Sequence, residues 1–176
     1  EVSNPNTLDS KNTVIRTAAM DCYILPCEYM GFDTTSIASS DTFAALQTGV
    51  VEGLAGSTPA GAYLNYRDII DYYYVYQMSP EVTQIMISEK TLAKLSPEDQ
   101  KTIVDICRQE CANSVNYAKE EDEKYLKLME DNGIKIVRFS DEEIEMFAEA
   151  VRTNVWPNLA KTYGEDFINE LLKLYK

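Results

Sequence analysis

The sequence predicts an α/β fold built from parallel βαβ units. Two observations carry that expectation. From residue 13 to residue 77, short runs rich in β-branched residues alternate with helix-like segments at the spacing of strand–helix–strand crossovers. Within that region lies Ser40-Asp41-Thr42-Phe43-Ala44-Ala45-Leu46-Gln47-Thr48-Gly49-Val50-Val51-Glu52-Gly53. It reads as a short helix, a glycine exit and a buried strand that ends on a second glycine. Hydrophobic residues make up 45% of the 176, enough for a core.

Residues 1–12 are polar and rich in Asn, Ser and Pro, as in a linker. Residues 14–19 form a first strand. A helix follows that includes Ile24, Leu25 and Met30, with Pro26 expected in its first turn, near Tyr23, and Gly31 closing it. Residues 34–38 give a second strand. Ser40 or Asp41 then caps the next helix, with Phe43 and Leu46 sharing a face. A strand over 50–55 follows. Gly56-Ser57-Thr58-Pro59 turns into another helix, capped by Ser57 or Thr58.

Residues 72–76 are an aromatic strand. Pro80 separates them from a further strand at 83–88. Ser96-Pro97-Glu98-Asp99 combines a cap, Pro at the first helical position and acids in the first turn. That helix should run to Asn132 and end at Gly133, with an apolar stripe of Ile103, Ile106, Cys107, Cys111 and Val115. Residues 134–139 alternate as a strand. Ser140-Asp141-Glu142-Glu143 is a capping box, with Ile144, Phe147 and Val151 turned inward. Pro157 breaks that helix near Trp156. A last helix over 165–175 carries Phe167, Ile168, Leu171 and Leu172.

Composition excludes several functions. The formal net charge is −13, unsuited to nucleic acid or an anionic membrane surface. There is no histidine, so Ser-His-Asp and Cys-His catalysis and His-ligated zinc are absent. An α/β thiol enzyme using Cys22 or Cys27 would lack its base. Cys22, Cys27, Cys107 and Cys111 fit no metal spacing and read as small core thiols. Neither a cofactor nor a metal is expected, and the chain is not expected to be an enzyme. No run of about 18 apolar residues is present, and the chain as it stands is expected to be soluble.

The run Ala44-Ala45-Leu46-Gln47-Thr48-Gly49-Val50-Val51-Glu52-Gly53 resembles a signature of the TRAP-transporter solute-binding proteins, the dicarboxylate-receptor family. The usual form there is Ser-Glu-x-Tyr-x-Ala-Leu-Gln-Thr-Gly-Val-Val-Asp-Gly. Val14-Ile15-Arg16-Thr17 resembles the family's Lys-hydrophobic-Arg-x-Pro strand, with Ala18 where Pro is common, and Gly31 falls at the family's spacing. Leu95-Ser96-Pro97-Glu98-Asp99-Gln100-Lys101 resembles the start of its long helix, and Gly133-Ile134-Lys135-Ile136-Val137 its end. The likeness runs over about residues 12–175.

The resemblance implies a periplasmic-binding-protein type II-like lobe with βαβ units, a small mixed sheet and long C-terminal helices. The family closes two α/β lobes over its ligand, and this chain matches the C-terminal half. It implies a linker or lobe crossover at 1–12 and a ligand-binding core of the second lobe at 13–77. Residues 78–117 are expected to cross to a first lobe that the chain lacks. Residues 118–176 carry the end of the long helix, the return strand and the last helices.

It also implies that Arg16 forks a ligand carboxylate with two parallel charge-assisted bonds. The family's second contact is an Asn after the signature strand. Here Gly56 stands in its place, so Ser57, Thr58 or the amides at the helix start are expected to substitute. Ser39 stands where many relatives carry an aromatic. Tyr63, just beyond this loop, is the tyrosine expected to meet the ligand.

The function implied is an extracytoplasmic receptor, periplasmic or membrane-anchored outside the cell. It would bind a small organic acid for sodium-coupled uptake by TRAP membrane subunits. The alternative is a sensing domain of the same fold feeding a signalling partner. With no first lobe to cover 83–88 and the stripe from Ile103 to Val115, the isolated chain is expected to self-associate.

Overall fold

The computed structural model describes residues 1–79 and 81–175. Strand β1 (Val14–Thr17) leads into helix α1 (Asp21–Tyr29) and strand β2 (Asp33–Ser36). A 3₁₀ turn (Ser39–Asp41) runs into α2 (Thr42–Gln47), then β3 (Gly53–Leu54) and α3 (Pro59–Tyr66). Next come β4 (Tyr72–Tyr74), α4 (Glu89–Leu92) and the long α5 (Pro97–Asp131). Strand β5 (Lys135–Val137) and helices α6 (Asp141–Asn154), α7 (Trp156–Tyr163) and α8 (Glu165–Lys173) complete the chain.

Two small sheets form, and every strand pairing among the described residues is parallel, where the sequence suggested a mixed sheet. The first has the order β2-β1-β3, with Arg16 opposite Thr35 on one side and Leu54 on the other. The second pairs β4 with β5. Residues 83–88 form no strand, against the sequence expectation. Their composition favours β structure, but among the described residues no strand pairs with them.

Three apolar clusters hold these layers. Ile15 of β1 packs with Cys27, Met30, Phe32 and Phe147, joining α1 and α6 to the first sheet. Ala62, Leu126, Met129 and Ile134 join α3 and the end of α5 to the second. Val155, Leu159 and Ile168 bind α7 to α8, with Leu25 of α1 against them. Helix α5 has 35 residues, so it is roughly 50 Å long, yet its buried residues are Leu126 and Met129, near its end. Upstream, Ile106 is 54% exposed and Val115 74%.

Caps follow the sequence where a Ser or Thr precedes Pro or acids. Ser96 Oγ accepts from Asp99 N–H, and Ser140 with Glu143 forms the capping box. Other local expectations are corrected. Pro26 lies well inside α1, which starts at Asp21 because the Met20 carbonyl accepts from Tyr23 and Ile24 N–H. Neither Ser40 nor Asp41 caps α2 through its side chain; the 3₁₀ turn makes the entry. Thr42 and Ala45 are the buried residues of α2, and Phe43 stays exposed. Strand β3 is shorter than expected because Val50 N–H still bonds back to Ala45 O, and its ladder begins only with Glu52 N–H to Val14 O. Of the four cysteines only Cys27 is buried; Cys107 is half-buried, and Cys22 and Cys111 are exposed. The α5 cysteines lie on a stripe that the described residues leave largely uncovered, with Ile106 and Val115 exposed.

Residues 1–12 lie against the fold. Val2 N–H donates to Tyr74 Oη (2.8 Å), and the Tyr76 hydroxyl donates to Pro5 O (2.6 Å). Lys11 is buried, its ammonium donating to Thr7 O (2.5 Å) and Asp9 O (3.1 Å) above the Phe32 ring. Burial lowers its proton affinity, opposed by the Asp9 charge.

Candidate functional site

In a parallel sheet all strands end on one edge, and the loops that leave them gather there. Strand β1 is central: the chain passes from it through α1 to β2 on one side, then crosses to β3 on the other. The strand order therefore reverses at β1, and ligand crevices of open α/β sheets lie outside the carboxyl ends at such a reversal.

Arg16 sits one residue from the end of β1 at this edge. Its Nε–H donates to Ile37 O (2.8 Å), which orients the guanidinium. Among the described residues no carboxylate pairs with it and its Nη atoms make no hydrogen bond. The Nη1/Nη2 edge is left free to fork an incoming carboxylate. Thr17, the next residue, is fully buried, and its Oγ1 has no hydrogen-bond partner among the described residues.

The other predicted residues fall on the neighbouring loops. Ser39 is exposed at the start of the 3₁₀ turn after β2. Ala55 N–H donates to Arg16 O (2.9 Å), which brings Gly56, Ser57 and Thr58 beside β1. Gly56 has φ 83°, a left-handed conformation that favours glycine. The Tyr73 hydroxyl donates to Ser57 O (3.0 Å). Thr58 Oγ1 accepts from Gly61 N–H (3.1 Å) as the cap of α3. Pro59 has no N–H and that of Gly61 is taken, so little of this helix terminus is free to receive an anion.

Tyr63 is placed differently. Its ring meets Tyr125 of α5 at 5.8 Å and lies under the Arg67 guanidinium at 5.2 Å, within the packing of α3 on α5. Tyr23, in the first turn of α1, has its ring against Gly56. Sequence reasoning missed it, because the contact joins residues 33 positions apart and no local pattern marks it (56 less 23). Among the described residues no group of three or more His, Cys, Asp or Glu is placed to hold a metal ion. Two surface hollows lie elsewhere, one on α6 around Met146 and one between α1 and α7 around Tyr29. Arg16 lines neither.

Open parallel α/β sheets take their ligands outside the carboxyl ends of the strands at the reversal of strand order, and Arg16 stands at that place here. The chain belongs to the DctP family, bacterial extracellular solute-binding protein family 7, whose model matches residues 6–162. No curated protein matches it. Among solved structures it is similar to an apo, open TRAP periplasmic solute-binding protein from Escherichia fergusonii, with 21% identity and TM-score 0.74, over 97% of this chain and 55% of that one. A Sulfitobacter relative with bound β-D-galacturonate gives 20% identity and TM-score 0.71, over 97% and 54%. One from Shewanella oneidensis with bound succinate gives 18% and 0.71, over 98% and 56%. At these identities the likeness is one of fold. The chain spans about half the length of these structures. Among the described residues no helix is long and apolar enough to cross a membrane.

Proposed function

We propose that this chain is the carboxylate-anchoring half of a TRAP solute-binding protein that works outside the cytoplasmic membrane. It binds a small organic acid and passes it to membrane subunits for sodium-coupled uptake, with no chemical step. Residues 13–77 carry the binding half, and 78–117 reach toward the other lobe. The carrying observation is the Arg16 guanidinium, oriented by Ile37 O and otherwise unpaired among the described residues, at the reversal point of the sheet. Family membership supports the reading, as do relatives of the same fold with bound galacturonate, glucuronate and succinate. Ser39, the backbone at Gly56, and Ser57 supply the surrounding polar groups, while Thr58 holds the loop as a cap. The Tyr63 ring packs against Tyr125 and Arg67, which leaves its hydroxyl as the group it could offer.

The test is calorimetry on the full-length protein with D-galacturonate, D-glucuronate and succinate as probes. Arg16→Ala should weaken the bound acid by roughly 2–4 kcal/mol, as expected when one partner of a desolvated charge pair is removed. Arg16→Lys keeps the charge and loses the fork, so it should recover only part. Unchanged affinity in both variants overturns the assignment.

A further inference from the structure

We propose that Thr35 is a specificity-determining residue of the Arg16 site: its hydroxyl, beside Arg16 in one row across the sheet, binds a hydroxyl carried next to the ligand's carboxylate and so favours 2-hydroxy acids over plain ones. The inference rests on Arg16 as the carboxylate anchor.

The register puts the two residues side by side. Arg16 of β1 stands opposite Thr35 of β2 on one flank and Leu54 of β3 on the other. Adjacent strands lie about 4.8 Å apart, and residues in register share a face. The neighbouring row identifies that face. Ile15 and Thr34 are also in register, and both turn to α1. Ile15 packs on Cys27 and Met30, and the Thr34 hydroxyl donates to Glu28 Oε1 (2.9 Å). Side chains alternate along a strand, so Thr35, Arg16 and Leu54 all stand on the face away from α1.

Arg16 leans to the Thr35 side. Its Nε–H donates to Ile37 O (2.8 Å), two residues beyond Thr35 at the exit of β2, so the guanidinium is drawn toward β2 rather than β3. Thr35 lies one residue from the end of β2, level with Arg16 in β1. It is exposed, and its hydroxyl makes no hydrogen bond among the described residues, whereas Thr34 spends its own on Glu28. A carboxylate forked by Arg16 therefore has a free hydroxyl on one flank and the hydrocarbon of Leu54 on the other. That row suits an acid whose carboxylate is bonded to a CH(OH) carbon, with the hydroxyl turned to β2 and the C–H to β3. The row is handed, so two enantiomers of such an acid meet it differently. A plain acid uses the fork and leaves Thr35 to water.

The experiment compares each enantiomer of lactate with propionate, and each enantiomer of malate with succinate, by calorimetry on the full-length protein. The members of each pair differ by one hydroxyl. Wild type should bind one enantiomer of the hydroxy acid about tenfold more tightly than the plain acid, the scale of one hydrogen bond. Thr35→Val keeps the shape and the strand preference and removes the hydroxyl. It should erase the preference while propionate and succinate bind as before. Thr35→Ser should keep the preference. Arg16→Ala should weaken every acid that binds. A preference unmoved in Thr35→Val overturns this inference alone when Arg16→Ala still weakens binding. So does a wild type that binds hydroxy and plain acids equally, or a Thr35→Val variant that weakens both kinds alike. A wild type that binds none of these acids also overturns it, and if the uronates fail too, or Arg16→Ala changes nothing, the anchor reading falls as well.

Discussion

The Tyr73 hydroxyl donates a 3.0 Å hydrogen bond to the Ser57 carbonyl, tying β4 of one sheet to the loop that leaves β3 of the other. Burial first, and the Asp122 charge second, push Tyr73 from an ordinary 10.0 to about 12. The folded chain therefore holds this proton more tightly than the unfolded chain does. The stability it contributes is fully present below about pH 10 and is lost as pH rises toward about 12. Cys27, raised by burial and then by Glu28 from 9.0 to about 12, acts with the same sign. Urea titrations at a series of alkaline pH values should show stability falling through this window. Tyr73→Phe should flatten the fall and lower neutral-pH stability by about 1 kcal/mol, the net value of one hydrogen bond. An identical alkaline slope in the variant contradicts the assignment.

Thr17 gives a prediction of opposite sign. Its hydroxyl is fully buried and has no partner among the described residues, although it ends a strand where an apolar β-branched residue would fit. Thr17→Val keeps the shape and removes the desolvation cost. It should stabilise the chain by about 1 kcal/mol, read as a higher urea midpoint at unchanged slope. Destabilisation would mean that the hydroxyl has a partner in solution.

Gly31 fixes the path of the N-terminal segment. Its φ is 91°, and a β-carbon there would come within 2.2 Å of Asp9 O. Gly31→Ala combines left-handed strain with a backbone clash and should cost roughly 2–4 kcal/mol. A change below about 0.5 kcal/mol, the range of ordinary surface substitutions, would show that residues 1–12 do not lie here.

The outer part of α5 and the segment before α4 carry the apolar surface that this chain leaves open. Ile106 is 54% exposed, Val82 76% and Met86 83%. Such surface draws other chains. Light scattering on the 176-residue chain should show association that Ile106→Glu reduces. A wild type that stays monomeric at high concentration contradicts this.

Local chemistry was readable in the sequence wherever one residue determines a backbone event. Gly49 and Gly133 turn with positive φ, and Ser96, Ser140 and Thr58 cap the helices they precede. Parallel β1, β2 and β3 followed from spacing, and Arg16 was singled out as a candidate through the resemblance of the residues around it. What escaped depends on contacts distant in sequence. Residues 83–88 have strand composition without a partner strand. The face of α2 was misjudged because Phe43 is apolar yet has no core to enter, while Thr42 and Ala45 fit the space available. Tyr23 reaches Gly56, and Tyr63 reaches Tyr125, only once helices are placed on sheets.

The buried Lys11 has a consequence for amine chemistry. Reagents that acylate or cross-link lysines need a neutral amine and room to approach it. Lys11 meets the first need more readily than an ordinary lysine, since burial lowers its proton affinity, and fails the second, being 1% exposed under carbonyls of its own segment. Its rate of modification is therefore gated by the peeling away of residues 1–12. In a mass-spectrometric time course, acylation of this single amine serves as a clock for that local opening while exposed lysines such as Lys101 and Lys127 saturate early.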